Sequence, residues 1–304
     1  MGSLAAILLA GPTASGKSRL ALDLAARHGG LVVNADSMQV YRELRILTAR
    51  PSPADEAATP HRLYGHVPAA TRYSVGRWLA DVAAVLAEAR RDGRLPIVVG
   101  GTGLYFKALT EGLAAVPPVP ADVRDATRAE SEGVETPALH ARLAAVDPVD
   151  AVAIRASDRA RVLRALEVIT ATGRSLAEWR RVAAAPPLVD AASAQRIVLD
   201  PDRAELHRRI ALRAEQMLKQ GAPAEVAALA ALGLDPELPA MKAIGVRELM
   251  ALGRGTLSRE EALAAIATET RRYAKRQMTW FRHQMTDWAR LGDALALDLS
   301  RSRS

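Results

Sequence analysis

Gly11-Pro12-Thr13-Ala14-Ser15-Gly16-Lys17-Ser18 has the spacing G-x-x-x-x-G-K-[ST], in which successive backbone N–H groups converge on one point and a lysine adds a mobile cation. Such a turn suits a phosphate or diphosphate, and the Ser18 hydroxyl is placed to hold a Mg²⁺ that bridges the same oxygens. Three further side chains could act on whatever carries those phosphates. Asp36 follows an apolar run and can take a proton; its ordinary alternative is to cap the next turn. Thr102 follows Gly100-Gly101 and opens a helical pattern, so its hydroxyl either orients a polar group or caps the helix. Arg213 lies on a helical pattern whose Leu206, Ile210 and Met217 face inward, which leaves its guanidinium free to point at a ligand crevice.

Positioning these groups calls for a parallel sheet. Leu4 to Ala10 is apolar and leads straight into the glycine-rich turn, and Arg19 to Arg27 continues as helix. Leu31-Val32-Val33 and Pro96-Ile97-Val98-Val99 read as two more buried strands, delivering Asp36 and Thr102 at their carboxyl ends. That edge of an open parallel sheet is where ligands sit. Residues 46 to 74 read as a long loop with short helical pieces, and Ser74 to Arg91 as an amphipathic helix. Val116-Pro117-Pro118-Val119-Pro120 and Ala183 to Ser193 read as boundaries, and only helical patterns lie between them. Arg196-Ile197-Val198-Leu199 then resumes the sheet, and Ser258-Arg259-Glu260-Glu261 is a capping box that starts a helix continuing to about Gln284. The expected fold class is α/β: a P-loop NTPase-like parallel sheet flanked by helices, with an all-helical insertion domain. Residues 1–115 and 191–292 form the expected catalytic core, 116–190 the insertion and 293–304 a frayed tail.

Composition narrows the chemistry. Of 304 residues none is cysteine, which excludes disulfides, thiolate nucleophiles and Cys-based zinc sites and fits a reducing compartment. The six histidines show no H-x-x-x-H or H-E-x-x-H spacing, so they read as surface or packing residues. No stretch approaches the length of a membrane span, and the opening apolar run reads as the first strand of a soluble protein rather than a secretory signal. The formal net charge of +7 is compatible with an acidic partner. The stretch Glu269 to Arg290, the end of the last long helix and the residues after it, interleaves Arg271, Arg272, Lys275, Arg276, Arg282 and Arg290 with Tyr273, Trp280, Phe281 and Trp288. That mixture suits a nucleic-acid surface and equally a terminal helix pinned by aromatic packing; spacing alone favours packing for the aromatics and leaves the charges open.

The turn Gly11-Pro12-Thr13-Ala14-Ser15-Gly16-Lys17-Ser18, together with Asp36-Ser37-Met38-Gln39-Val40-Tyr41, Thr48-Ala49-Arg50-Pro51, Val99-Gly100-Gly101-Thr102-Gly103-Leu104-Tyr105, Arg164-Ala165-Leu166-Glu167 and Ala274-Lys275-Arg276-Gln277-Met278-Thr279-Trp280, resembles the tRNA dimethylallyltransferase family, in order and across nearly the whole chain. The resemblance implies a P-loop that grips dimethylallyl diphosphate rather than ATP. It further implies transfer of the dimethylallyl group to the exocyclic amine of the adenosine 3′ of the anticodon, with diphosphate released under Mg²⁺ assistance. Carried over by position, Asp36 takes the amine proton, and Thr13, Lys17, Ser18 and Arg213 hold the diphosphate. Contacts to the tRNA anticodon stem-loop fall on Asp36, Ser37, Met38, Gln39, Thr102 and Arg124. They continue on Ala160, Arg161, Val162, Leu163 and Arg164, and on Lys242, Ala243, Ile244, Gly245, Val246 and Arg247. The protein is expected to be a cytoplasmic monomer with no membrane partner. Pro60-His61-Arg62-Leu63-Tyr64-Gly65-His66 departs from the family's usual paired His followed by Leu-Ile-Asp, and Ser18 stands where Thr is commoner.

Two other classes of function compete. A P-loop kinase for a small metabolite or nucleotide would place ATP in the loop and use Asp36 to deprotonate a hydroxyl. It leaves the basic, aromatic last helix unexplained, and the strand before Gly100-Gly101 ends without the acidic residue that ATP-hydrolysing P-loop proteins usually place there. A phosphate-binding RNA-binding protein without catalysis leaves Asp36, Thr102 and Arg213 without a purpose.

Overall fold

The computed structural model describes residues 4–182 and 185–292; the expected tail at 293–304, and residues 183 and 184 of the second expected boundary, lie outside the described residues. Strand β1 (Ala6–Ala10) is buried along its whole length. Its side chains alternate between two apolar clusters, Ala6, Leu8 and Ala10 in one and Ile7 and Leu9 in the other. Both faces of the sheet are therefore covered, as a parallel sheet requires. The remaining strands are β2 (Leu31–Asn34), β3 (His61–Arg62), β4 (Pro96–Gly100), β5 (Ala194–Leu199) and β6 (Ala289–Leu291), in the order β3-β2-β4-β1-β5-β6. Every pairing is parallel, with Leu9 opposite Val99 and Ile197, and Val33 opposite Val98. Three strand ends thus open on one edge. β4, which leads to Thr102, lies between β2, which leads to Asp36, and β1, which leads to the glycine-rich turn.

Helix α1 (Lys17–His28) covers one face with Leu20, Ala21, Leu24 and Ala25. After α2 (Pro53–Ala58), the other face is covered by α3 (Val75–Arg91) and α4 (Gly103–Glu111). Trp78, Val82, Phe106 and Leu109 are their fully or almost fully buried contributions, the apolar ones worth about 1.5–3 kcal/mol each against exposure. α3 starts where the Ser74 side chain accepts the Arg77 N–H and spares one of the orphan donors of its first turn. The expected long loop at 46–74 proves to contain α2 and the two-residue edge strand β3. Neither β3 nor the three-residue β6 is long enough to show an alternation in sequence.

The chain forms two compact units, one from the segments up to Thr110 and from Pro187 onward, the other Glu111–Pro186. The second is all helical in its described residues: α5 (Ala121–Ser131), α6 (Thr136–Val146), α7 (Pro148–Ala153), α8 (Arg159–Thr172) and α9 (Leu176–Arg181). Leu139, Leu143, Ala151, Ile154, Val162 and Ala165 form its core. Its boundary differs from the expected 116–190 because the N–H groups of Leu188 and Val189 donate to the Leu109 carbonyl at 3.0 and 3.2 Å, and Val189 is buried against the sheet cluster.

The first unit is completed by α10 (Arg203–Lys219), α11 (Ala222–Ala231), α12 (Val246–Gly253) and α13 (Arg259–Gln284). α13 begins at the expected capping box, Ser258 and Glu261 each accepting the other's backbone N–H. Glu225 on α11 accepts the N–H groups of Arg45, Ile46 and Leu47 at 2.7–2.9 Å. One carboxylate therefore ties the segment that leads to Thr48 to α11.

Candidate active site

The glycine-rich turn is built by backbone conformations that its sequence permits. Gly16 caps α1 at φ 89° with no side-chain cap, and no acidic residue occupies the first helical turn. The first-turn N–H groups and the positive end of the helix are left for an anion. Ala14 also has positive φ, 62°, a strained position for a residue with a Cβ and one that surrounding structure must hold. Gly11 has no room for more: a Cβ there would lie 2.8 Å from the Ser15 hydroxyl and 3.1 Å from Leu199. Ser15 Oγ is buried with no hydrogen-bond partner. Lys17 folds over the loop, its Nζ donating to the Pro12 carbonyl at 3.2 Å. Burial pulls the Lys17 ammonium down to about 8; Asp36 opposes that fall and Arg213 adds to it.

Asp36 is held by a polar turn at the end of β2. Buried Asn34 accepts the Asp36 N–H at 2.8 Å and donates to the Asp36 and Leu63 carbonyls at 2.9 and 3.0 Å. Trp78 Nε1 donates to the Asn34 carbonyl from below, and Tyr105 stacks on Trp78 with centroids 4.4 Å apart. Asp36 Oδ1 accepts the Met38 N–H at 2.9 Å. Asp36 thus makes a local turn, and it also lines a cavity of about 280 Å³. Thr102 Oγ1 accepts the Ser37 N–H at 2.9 Å and so joins the β4 end to the β2 end.

Arg213 lines the same cavity from α10, with Nη1 donating to Thr13 Oγ1 and Nη2 to the Thr48 carbonyl, each at 3.5 Å. Its burial works against the guanidinium charge and Asp36 supports it. Met38, Leu47, Ile210, Met217, Ile244 and Ile266 give the cavity an apolar wall, and Tyr273 and Arg276 on α13 close it. Burial, followed by the Asp36 charge, pushes the Tyr273 phenol up. One cavity thus gathers a fixed cation, a carboxylate and an apolar surface. Of the eight loop residues, only Thr13 reaches its lining.

The other expected positions divide. Gln39 is buried and its amide donates to the Thr48 and Ala49 carbonyls, so it braces the loop. Lys242 and Arg247 are exposed, whereas Ala243, Gly245 and Val246 are buried. Gly245 has φ 97° and no space for a Cβ beside Leu47. In the insertion Ala160 and Arg161 are exposed, Leu163 is half-buried, and Arg164 pairs with Glu167 at 3.7 Å. Val162 is wholly buried in the helical core, so its side chain belongs to packing and not to a contact surface. Arg124 donates to the Val119 carbonyl at 3.0 Å. The aromatics of α13 split as well. Phe281, and Trp288 just beyond the helix, are buried in the sheet cluster; Tyr273 and Trp280 are half-exposed at the strand-end edge.

Two side chains acquire importance that sequence spacing did not reveal. Gln277 accepts the Thr13 N–H at 3.0 Å and donates to the Gly101 carbonyl at 2.9 Å. Asn34 had a visible signal, a polar residue closing a buried strand. Gln277 had none except its place in a motif.

Two family models match the chain. The one described as IPP transferase matches residues 39–284, and the one described as isopentenyl transferase matches residues 4–66. The chain is 56% identical over 293 residues to a tRNA dimethylallyltransferase of Azorhizobium caulinodans, covering 96% of this chain and 94% of the relative. Among solved structures it is similar to the full-length tRNA isopentenylpyrophosphate transferase of Bacillus halodurans (TM-score 0.66, 32% identity, 94% of this chain and 89% of the other). It is also similar to a eukaryotic dimethylallyltransferase acting on tRNA (TM-score 0.78, 28% identity, 97% and 75% covered). Matched along most of its length and built on the same fold, the chain belongs to the IPP transferase family, whose bacterial relatives here are tRNA dimethylallyltransferases.

Proposed function

We propose that this protein transfers the dimethylallyl group of dimethylallyl diphosphate to the exocyclic amine of the adenosine 3′ of the anticodon in tRNA. The observation that carries the reading is the meeting of Asp36, Arg213 and Thr13 on one cavity with an apolar wall, at the edge where the glycine-rich turn opens. Uncapped N–H groups at the start of α1, with Lys17 and Arg213, stabilise the charge that gathers on the diphosphate as the allylic C–O bond breaks. A new N–C bond forms at the adenine amine, whose lone pair is delocalised into the ring and makes it a weak nucleophile. Asp36 accepts the proton that the amine gives up. Diphosphate leaves, and no phosphoryl group moves. The acceptor lies in a single-stranded loop, where a base can leave its stack.

Mg²⁺ suits the donor set. No cluster of three metal-ligating side chains occurs among the described residues, and Mg²⁺ is commonly held by one or two protein oxygens plus substrate phosphates. The exposed Ser18 hydroxyl in the first turn of α1 would supply the protein oxygen. When bound, the ion would neutralise charge on the departing diphosphate.

The tRNA surface is assigned to Lys242 and Arg247, to the exposed Arg272, Lys275, Arg276 and Arg282 of α13, and to Arg124, Arg161 and Arg164 in the insertion. No helix among the described residues is long and apolar enough to cross a membrane. A monomer working in the cytoplasm completes the proposal.

A kinase fits less well. At the β4 end, where an acidic metal ligand would stand, a Cβ on Gly100 would overlap the Ala35 carbonyl and one on Gly101 would overlap Gln277. The deciding assay incubates the protein with labelled dimethylallyl diphosphate and unmodified tRNA, and in parallel with ATP and candidate metabolites. Label in tRNA is the expected outcome. ADP formation would favour the kinase, and tRNA retention without product a binding protein.

A further inference from the structure

We infer that Gln277 is a positioning residue for the transfer, setting the distance between the diphosphate turn and the strand end beside Asp36; the inference rests on the transferase reading above. Its carboxamide takes both of its hydrogen bonds from backbone on two different strand ends, the Thr13 N–H after β1 and the Gly101 carbonyl after β4. Only one orientation of the amide satisfies an N–H on one side and a carbonyl on the other. Gln277 is 6% exposed; its bond to the Gly101 carbonyl is buried and the one from the Thr13 N–H is partly so, which strengthens both relative to water. Gly101 has no Cβ because the Gln277 amide occupies that position, and a Cβ there would also lie 3.4 Å from Asp36 Oδ2. The clasp therefore sits over the strand between the leaving-group site and the base.

The residues around Gln277 show what the clasp holds. Tyr273 and Arg276, four and one positions earlier on α13, line the cavity. Trp280, three positions later, lies against Gly103, where a Cβ would overlap its ring. Gly103 starts the helix next to Thr102. A single helix face is thus pressed on the β4 end and tied to the turn after β1. Displacement of a carbon between a departing oxygen and an incoming nitrogen needs both groups held at near-attack separation, and small errors in that separation cost rate rather than binding.

Two substitutions test this. Gln277→Met keeps the volume and removes both bonds. It is expected to lower kcat at least about tenfold, with KM for dimethylallyl diphosphate and for tRNA each within about threefold. The Thr13 amide, freed from its acceptor, is expected to exchange its hydrogen faster. Gln277→Glu keeps the acceptor for Thr13 but faces the Gly101 carbonyl with a second oxygen, which can donate only when protonated. Its kcat relative to the wild-type value should rise as pH falls from 8 to 6, and this variant serves if Gln277→Met does not fold. Unchanged kcat in Gln277→Met, a loss confined to KM, or a flat ratio for Gln277→Glu would each overturn the inference. If the wild-type protein forms no prenylated tRNA, the transferase reading fails, and unchanged Thr13 exchange in Gln277→Met would separately remove the clasp.

Discussion

The ends of β2 and β4 are neighbours in the sheet and are built in opposite ways. β2 closes with Asn34 and Asp36, and three hydrogen bonds through the Asn34 side chain hold the carboxylate in its turn. β4 closes with Gly100, Gly101 and, after Thr102, Gly103, and each glycine is filled by something else: the Ala35 carbonyl, the Gln277 amide and the Trp280 ring. One end presents a reactive group; the other gives up side chains so that distant backbone and α13 can come close. The lesson is that a strand end can serve a site by what it omits. The omission also closes the place where ATP-hydrolysing P-loop proteins usually keep an acidic residue.

Breaking the reactive end should have the largest effect. Asp36→Ala is expected to lower kcat by on the order of 10²–10⁴ while tRNA affinity, read by filter binding, stays within about threefold. A variant with wild-type turnover would take Asp36 out of the mechanism. Filling the vacated end comes next. Gly100→Ala must move the Ala35 carbonyl, so urea denaturation should show a loss of about 1–3 kcal/mol; a change below about 0.5 kcal/mol would mean that the β4 end is more yielding than its contacts indicate.

The third test concerns the charge that lies beyond β4 in the turn after β1. Lys17 titrates near 8 because burial disfavours its ammonium, so the free protein loses that cation as pH rises through 8, while a bound anion favours keeping it. Affinity for inorganic diphosphate should therefore fall about tenfold between pH 7 and 9 from this group alone. Lys17→Arg stays charged throughout and corrects for titration of diphosphate itself; the same fall in that variant would assign the dependence elsewhere. The smallest effect is expected from Lys275→Ala with Arg276→Ala. The slope of log affinity for tRNA against log salt should flatten by about 1–2, and an unchanged slope would give these charges to structure.

Much of this arrangement could be read from residue order because it is local. The glycine-rich turn needs only its own eight residues and the strand and helix on either side, and Asp36 needs only to follow an apolar run. The three longest strands and the capping box at Ser258 fall in the same class. What the sequence withheld depends on partners far apart in the chain. Gln277 and Thr13 are separated by almost the whole polypeptide, and nothing in the spacing of α13 singles out its buried glutamine. Val162 and Gln39 lie in segments that resemble tRNA-contacting ones, yet their own side chains are turned to a helical core and to the Thr48 loop. A motif marks a stretch, whereas helix phase decides which of its residues faces outward. For the α13 aromatics phase again decides, sending Phe281 inward and leaving Tyr273 at the cavity.

The Leu109 carbonyl receives the amides of both Leu188 and Val189, so the polypeptide departs for the helical insertion and returns from it at a single stitch. Whatever hangs from that stitch can be lengthened, trimmed or exchanged over evolutionary time without disturbing strand register, because the entropy of closing a loop rises only slowly with its length. The reacting centre and the appendage can then diverge at different speeds.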